Sequence, residues 1–183
     1  MLKKQNMKSS ILDSKTIVLL FFTLLTGLLA GVFFTWTNAI TPGIGRLNDI
    51  DYLQAFQHMN RTILNPLFYI VITGPLLLSF VAVFLYKANT GFVLRLLSAT
   101  AIIYFLGVFI VTILGNIPLN DLLDKTDLKI ISVEGAKSLR DRFETKWNNL
   151  HLIRTISSST SFLLLIVACL FRPNDNNTKQ SKN

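Results

Sequence analysis

Four segments of this chain, at 16–36, 65–86, 94–114 and 151–171, are strongly apolar and nearly free of charge. Each has about the 20 residues that a helix rising about 1.5 Å per residue needs to cross a bilayer core. With 51% hydrophobic and 15% charged residues and a mean hydropathy of +0.49 over 183 residues, the chain is too apolar for a soluble domain of its size. Barrel strands would be about ten residues long with alternating polarity, and that pattern is absent. The expected architecture is therefore all-α, an integral membrane four-helix bundle in one domain spanning 16–171. Polar tails at 1–15 and 172–183 flank it, the second expected to be disordered.

The net charge of +8 would point to nucleic acid in a soluble protein. Here its distribution reads as topology. Lys3, Lys4, Lys8, Lys15, Lys87, Arg95, Arg172, Lys179 and Lys182 fall on one side of a four-span chain, with only Asp13 and Asp175 as acids. The basic residues of the other side lie mostly in or beside the long third connection and are accompanied by acids. Basic residues in short loops mark the cytoplasmic face, so both termini are expected there, in a bacterial inner membrane, with the lipid bilayer as partner and no nucleic acid. The first segment is longer than a signal-peptide core and reads as an uncleaved span. Cys169 is the lone cysteine, which rules out an intrachain disulfide or thiolate metal site.

Small and polar residues punctuate the spans. Thr23, Gly27, Ala30, Gly31 and Asn38 recur at helical spacing in the first, a face expected to point inward. Thr41 to Gly45 is a turn cluster expected to end that helix. A short interfacial helix, 52–64, should follow, capped by Asp49 or Asp51, with Leu53, Phe56, Ile63 and Leu67 on one face and Gln54, Gln57, His58, Arg61 and Asn65 on the other. Pro75 should kink the second span. The sequence GNIPLN, from Gly115, should stop the third. Residues 125–131 read as an exposed excursion. A soluble helix should begin at Ser132 and lead into the fourth span, its apolar stripe of Leu139, Phe143, Trp147 and Leu150 turning into Arg154, Ser157, Ser161 and Ala168.

The functional signal is a cluster of polar groups at one end of the bundle: Asn60, Arg61, Asn65, Asn116, Asn120, Trp147, His151 and Arg154. An arginine one turn into a span costs up to about 2.5–3.5 kcal/mol at mid-bilayer, so Arg154 should face protein. No acid in the neighbouring spans can pair with it, which leaves asparagine or backbone carbonyls or an anionic ligand. Free imidazole titrates near about pH 6.5, which makes His151 the candidate base. His58 and His151 are the only histidines, and no third ligand accompanies them at metal spacing, so neither a metal nor another cofactor is expected. No phosphate loop, hydrolase triad, HExxH or dinucleotide fingerprint is present.

Asn60-Arg61 with Asn65-Pro66, GNIPLN, and Trp147 followed by Arg154-Thr155 resemble the motifs of the anthrone oxygenase-like family of small four-span membrane proteins. The resemblance covers roughly residues 20–170. It implies cofactor-independent oxidation of a phenolic or anthrone-like ring compound, with His151 as base and Arg154 and Arg61 stabilising an enolate oxygen. Asn60, Asn65, Asn116 and Asn120 would then hold the substrate against Trp147. The competing expectation is a non-catalytic membrane protein that binds a lipid, a quinone or a partner protein at the same polar rim.

Overall fold

The computed structural model describes residues 13–87 and 91–171, and what was expected of 1–12 and 172–183 lies outside the described residues. Every regular element among the described residues is helical. Helix α1 (Ser14–Thr35) starts where Asp13 accepts from the Thr16 amide at 2.8 Å, and continues through a π-helical turn (Trp36–Ile40) into the short α2 (Thr41–Ile44). After a tight loop come α3 (Asp49–Ile63) and α4 (Pro66–Tyr86). The third span begins as α5 (Phe92–Tyr104), passes through two π-helical segments (Phe105–Ile110 and Thr112–Asn116) and ends as α6 (Ile117–Asp124). Helix α7 runs unbroken from Val133 to Leu170.

Four helices are long and apolar enough to cross a membrane: Ser14–Ile44, Pro66–Tyr86, Phe92–Asp124 and Val133–Leu170. They form a bundle in which α1 packs on α4 and α7, and α5 packs on the same two. Their outward faces carry Leu20, Phe21, Leu24, Leu77, Phe80, Phe84, Leu163 and Leu170, as a lipid-facing surface requires.

Some helix boundaries depart from expectation. The Thr41–Gly45 cluster does end the first helix, α2 stopping at Ile44 with Gly45 as its C-cap, whereas GNIPLN does not end the third span, which runs on to Asp124. In both places a π turn precedes the proline: the Thr41 amide reaches back to the Trp36 carbonyl, and the Ile117 amide to Thr112. The widened turn shifts the ladder by one residue, and Pro42 and Pro118 fall at a fresh helix start, where a missing amide costs nothing. Pro75, where a kink is expected, lies inside α4. Helix α3 starts earlier than expected because Asn48 caps it, accepting from the Asp51 amide at 3.0 Å, while Asp49 and Asp51 sit in its first turn. The small-residue face of α1 is split, with Ala30 buried, Thr23 and Gly27 partly buried, and Gly31 and Asn38 facing outward. Ser132 does cap α7, accepting from the Gly135 amide at 3.1 Å.

At the end of the bundle away from Asp13 and Phe171, the elements α3, α6, the 125–132 loop and the first half of α7 build a cap. Its core is Tyr52, Leu53, Phe56, Leu119, Leu123, Leu139, Phe143 and Trp147, with Trp36 reaching up from α1. Gln57, expected on the polar face, is buried and donates to the Leu123 carbonyl at 2.9 Å, and Leu128 tucks the loop down, so 125–131 is only partly exposed. Arg140 stitches the cap to the α2–α3 loop through Asp49 at 3.1 Å, Glu144 at 2.6 Å and the Gly45 and Leu47 carbonyls at 2.7 and 2.8 Å, its guanidinium lying over the Tyr52 ring. Deeper in the membrane, the buried Tyr104 hydroxyl donates to the Ile72 carbonyl at 2.7 Å and ties α5 to α4.

Close approach constrains Gly107 most tightly among the glycines: a Cβ there would meet the side chain of Ser157, with Ser157 Cβ only 2.6 Å away. Gly107→Ala should therefore cost about 1–3 kcal/mol through overpacking. Gly31→Ala, whose Cβ would meet nothing within 4 Å, should be neutral or stabilising by up to about 1 kcal/mol. Unfolding in detergent micelles measures both. Burial raises the Tyr52 phenol above its ordinary value, with Glu144 adding to the rise and Arg140 opposing it. A raised folded value favours the neutral phenol, so this stability is intact below the unfolded value near about 10 and is lost as pH rises above it. Because the Tyr52 hydroxyl has no hydrogen-bond partner, Tyr52→Phe should keep or raise stability at neutral pH and flatten the alkaline decline. Melting temperature against pH reads this directly.

Candidate functional site

Where α7 passes from the cap into the bundle, successive turns present Trp147, His151 and Arg154 to the same side, all buried. The Trp147 and His151 rings stack at 4.7 Å and 16°. Phe56 meets Trp147 edge-on at 4.7 Å and Trp36 lies 5.6 Å from it, so the cap core holds the stack from above. The indole donates to Asn120 Oδ1 at 2.7 Å, anchoring it to α6.

The hydrogen bonds of His151 leave one tautomer. Nε2 lies 3.1 Å from the Phe33 carbonyl, which can only accept, so Nε2 carries the proton. Nδ1 lies 2.7 Å from Arg154 Nη2, which can only donate, so Nδ1 accepts. The imidazole is neutral and both nitrogens are engaged. Phe33 occupies the last turn of α1 before the π-helical segment, and its carbonyl also accepts from the Trp36 amide and from the Thr155 hydroxyl at 3.4 Å.

Arg154 is 5% exposed and has no carboxylate beside it among the described residues. Besides His151 it has a long 3.4 Å bond from Nη1 to Thr112 Oγ1 and rings on two sides, Phe33 at 4.8 Å and Trp147 at 5.4 Å. Its Nε has no partner. Ring faces stabilise a buried cation by up to about 2 kcal/mol when desolvated, which offsets only part of its loss of water.

Arg154 and His151 form one wall of a cavity of about 300 Å³, whose other walls combine seven aromatic rings, Phe33, Trp36, Phe56, Phe68, Tyr69, Phe109 and Trp147, with aliphatic side chains such as Ile72 and Ile113. Asn60, Thr73, Thr112 and Asn120 add the remaining polar groups. Among the sequence candidates the structure thus brings together Asn60, Asn120, Trp147, His151 and Arg154. The others stand apart. Arg61 is half-exposed and pairs with Asp124 at 2.5 Å on the cap surface. Asn65 caps α4, accepting from the Phe68 amide at 3.1 Å. Asn116 is buried behind the wall, donating to the Trp147 carbonyl at 3.4 Å, with its Oδ1 unpartnered. Phe33, Trp36, Phe109 and Thr112 were not singled out as site residues, because in sequence they read as ordinary span residues. Among the described residues, no group of three metal-ligating side chains is assembled.

Fold and site define a class: an integral membrane protein with a bundle of apolar helices, a cap at one end, and a buried arginine and histidine beneath it facing an aromatic cavity. The anthrone oxygenase family matches residues 66–164, more than half of the chain, and the chain belongs to that family. The match takes in GNIPLN, Trp147, His151 and Arg154 but not the first span, which supplies Phe33 and Trp36. No curated protein and no solved structure matches the chain.

His151→Phe keeps the ring but leaves the Phe33 carbonyl and Arg154 Nη2 without their partner. It should cost about 1–3 kcal/mol or more, and His151→Gln, which retains a donor and an acceptor, should cost less; unfolding in micelles compares them.

Proposed function

We propose that the cavity binds a small fused-ring compound bearing a phenol or an enolisable ketone, and that the bound anion reacts with dioxygen. The observation that carries this reading is Arg154: a cation without a carboxylate, with Nε unpartnered, facing an aromatic-walled cavity. Such a site suits a delocalised oxyanion on a flat ring. The volume sits at the lower end of the range for small-molecule pockets, about 300–1,000 Å³. Membership of the anthrone oxygenase family supports the same substrate class.

The chemistry follows from the hydrogen bonds. A ring ketone placed with its oxygen toward Arg154 draws the Nη2 donor away from His151, and Nδ1 is left with a free lone pair. Nδ1 takes the proton from the carbon that becomes nucleophilic, the enolate oxygen keeps the guanidinium, and Nε2–H, still bonded to the Phe33 carbonyl, steadies the imidazolium. The carbanion gives its electrons to dioxygen and a carbon–oxygen bond forms. The proton returns from His151 to the peroxide, and loss of water from the hydroperoxide leaves a new carbonyl. One dioxygen is reduced, one methylene is oxidised to a ketone, and one water is released. Trp147 and Phe33 supply the stacking walls, and Asn60 and Asn120 donors for further ring oxygens. Arg61 and Asn65, which serve the cap and α4, take no part in this reading.

One observation favours a second reading. Nδ1, the single lone pair on the ring, is occupied by Arg154. If the pair does not separate, the site binds a lipid-phase phenol or quinone without turning it over.

With a phenolic anthrone as substrate, the purified protein should consume oxygen in equal amount to the quinone formed. Arg154→Gln should lower turnover about 10²–10³-fold, the usual loss when an oxyanion donor is removed. His151→Gln should lower it at least as far. An oxygen electrode reads both, and binding without oxygen uptake would select the second reading.

A further inference from the structure

We propose that this cavity is loaded sideways, from the hydrocarbon of the bilayer, through an opening between the start of α4 and the π-helical half of the third span. Its ligand accordingly arrives as a neutral, lipid-dissolved acid that ionises only at Arg154. The proposal rests on the binding reading above and adds a route and a physical class of ligand.

Three sides of the cavity are closed. From the cap, α3 lays Phe56 and the 9% exposed Asn60 across it, and Phe56 is locked edge-on to Phe143 at 4.8 Å and to Trp147. Behind it stand α1 and α7, packed along each other. On the deep side the Tyr104 hydroxyl bonds the Ile72 carbonyl and closes α5 against α4. The fourth side is different. Helix α4 packs on α5, whereas the π-helical segments that continue the third span pack on α7. The two spans therefore part toward the cap.

The residues along that parting line the cavity and face outward at once: Tyr69 is 50% and Ile113 41% exposed, and Thr73 is exposed as well. Tyr69 and Thr73 lie about 5 and 10 Å along the axis from Pro66, inside a helix apolar enough to cross the membrane. What reaches the opening comes from lipid, where an anion is costly and a neutral phenol or ketone is not. Inside, the first charge it meets is Arg154.

Both tryptophans of the chain, Trp36 and Trp147, line this cavity, so intrinsic fluorescence reports its occupancy. The test uses full-length protein in vesicles whose lipid already holds 1-hydroxy-9,10-anthraquinone, a lipid-soluble phenol, as quencher, with recovery after a temperature jump reading exchange between lipid and cavity. Thr73→Phe with Ile113→Phe should fill the mouth. The expected result is recovery slowed about tenfold or more. Recovery at the wild-type rate, in a variant whose emission before quencher matches wild type, would overturn the route while leaving the site intact. A membrane-impermeant sulfonated hydroxyanthraquinone added outside that quenches wild type to the same extent would also overturn it. No quenching of wild type by either probe would overturn the binding reading, and the route with it.

Discussion

A guanidinium buried in a membrane bundle without a carboxylate is the constraint around which this molecule is arranged. Arg154 is accommodated by a neutral imidazole, two aromatic faces and one long bond to a threonine. Such partners stabilise the cation less than an ion pair would, and they leave Nε without a partner. An arginine held this way keeps an Nε–H free for a further acceptor.

The rest of the structure can be traced outward from that residue. Arg154 needs an acceptor, and His151 supplies one because its other nitrogen gives its proton to the Phe33 carbonyl. That carbonyl lies at the end of α1, beside a π turn that disturbs the regular ladder. The imidazole keeps its plane because Trp147 stacks on it, and Trp147 keeps its own because Asn120 holds the indole and the cap core presses Phe56 and Phe143 on it. The cap is thus coupled to the site through a column of rings on one helix face. Arg140, far from the cavity, contributes by fastening that helix to the loop before α3.

Much of this was legible in the sequence because hydrophobicity and helical period leave little freedom in a membrane. The four spans, the Ser132 cap, the buried stripe of Leu139, Phe143 and Trp147, and the inward arginine follow from spacing and from the cost of charge in lipid. Helix ends were less legible. Pro42 and Pro118 mark stops by every local rule, yet each sits just after a π turn that begins the ladder again, and only the packed bundle reveals that turn. Arg61 and Asn65 resembled site residues because they lie in the right stretch; Asp124 claims the first and the α4 amides claim the second. Phe33 was invisible for the opposite reason, since its contribution includes a backbone carbonyl, which no side-chain pattern encodes. Gln57 looked solvated because its position on α3 is polar, but the carbonyls at the end of α6 face it.

The central claim is that Arg154 is there to hold an anionic ring oxygen. The most direct measurement is the absorption spectrum of a phenolic anthrone titrated with the protein anaerobically at neutral pH, where no turnover can follow. Wild type should draw out the band of the ionised ring in proportion to protein added, and Arg154→Gln should leave the neutral spectrum. An ionised band of equal strength with Arg154→Gln, or none with wild type, would contradict the account.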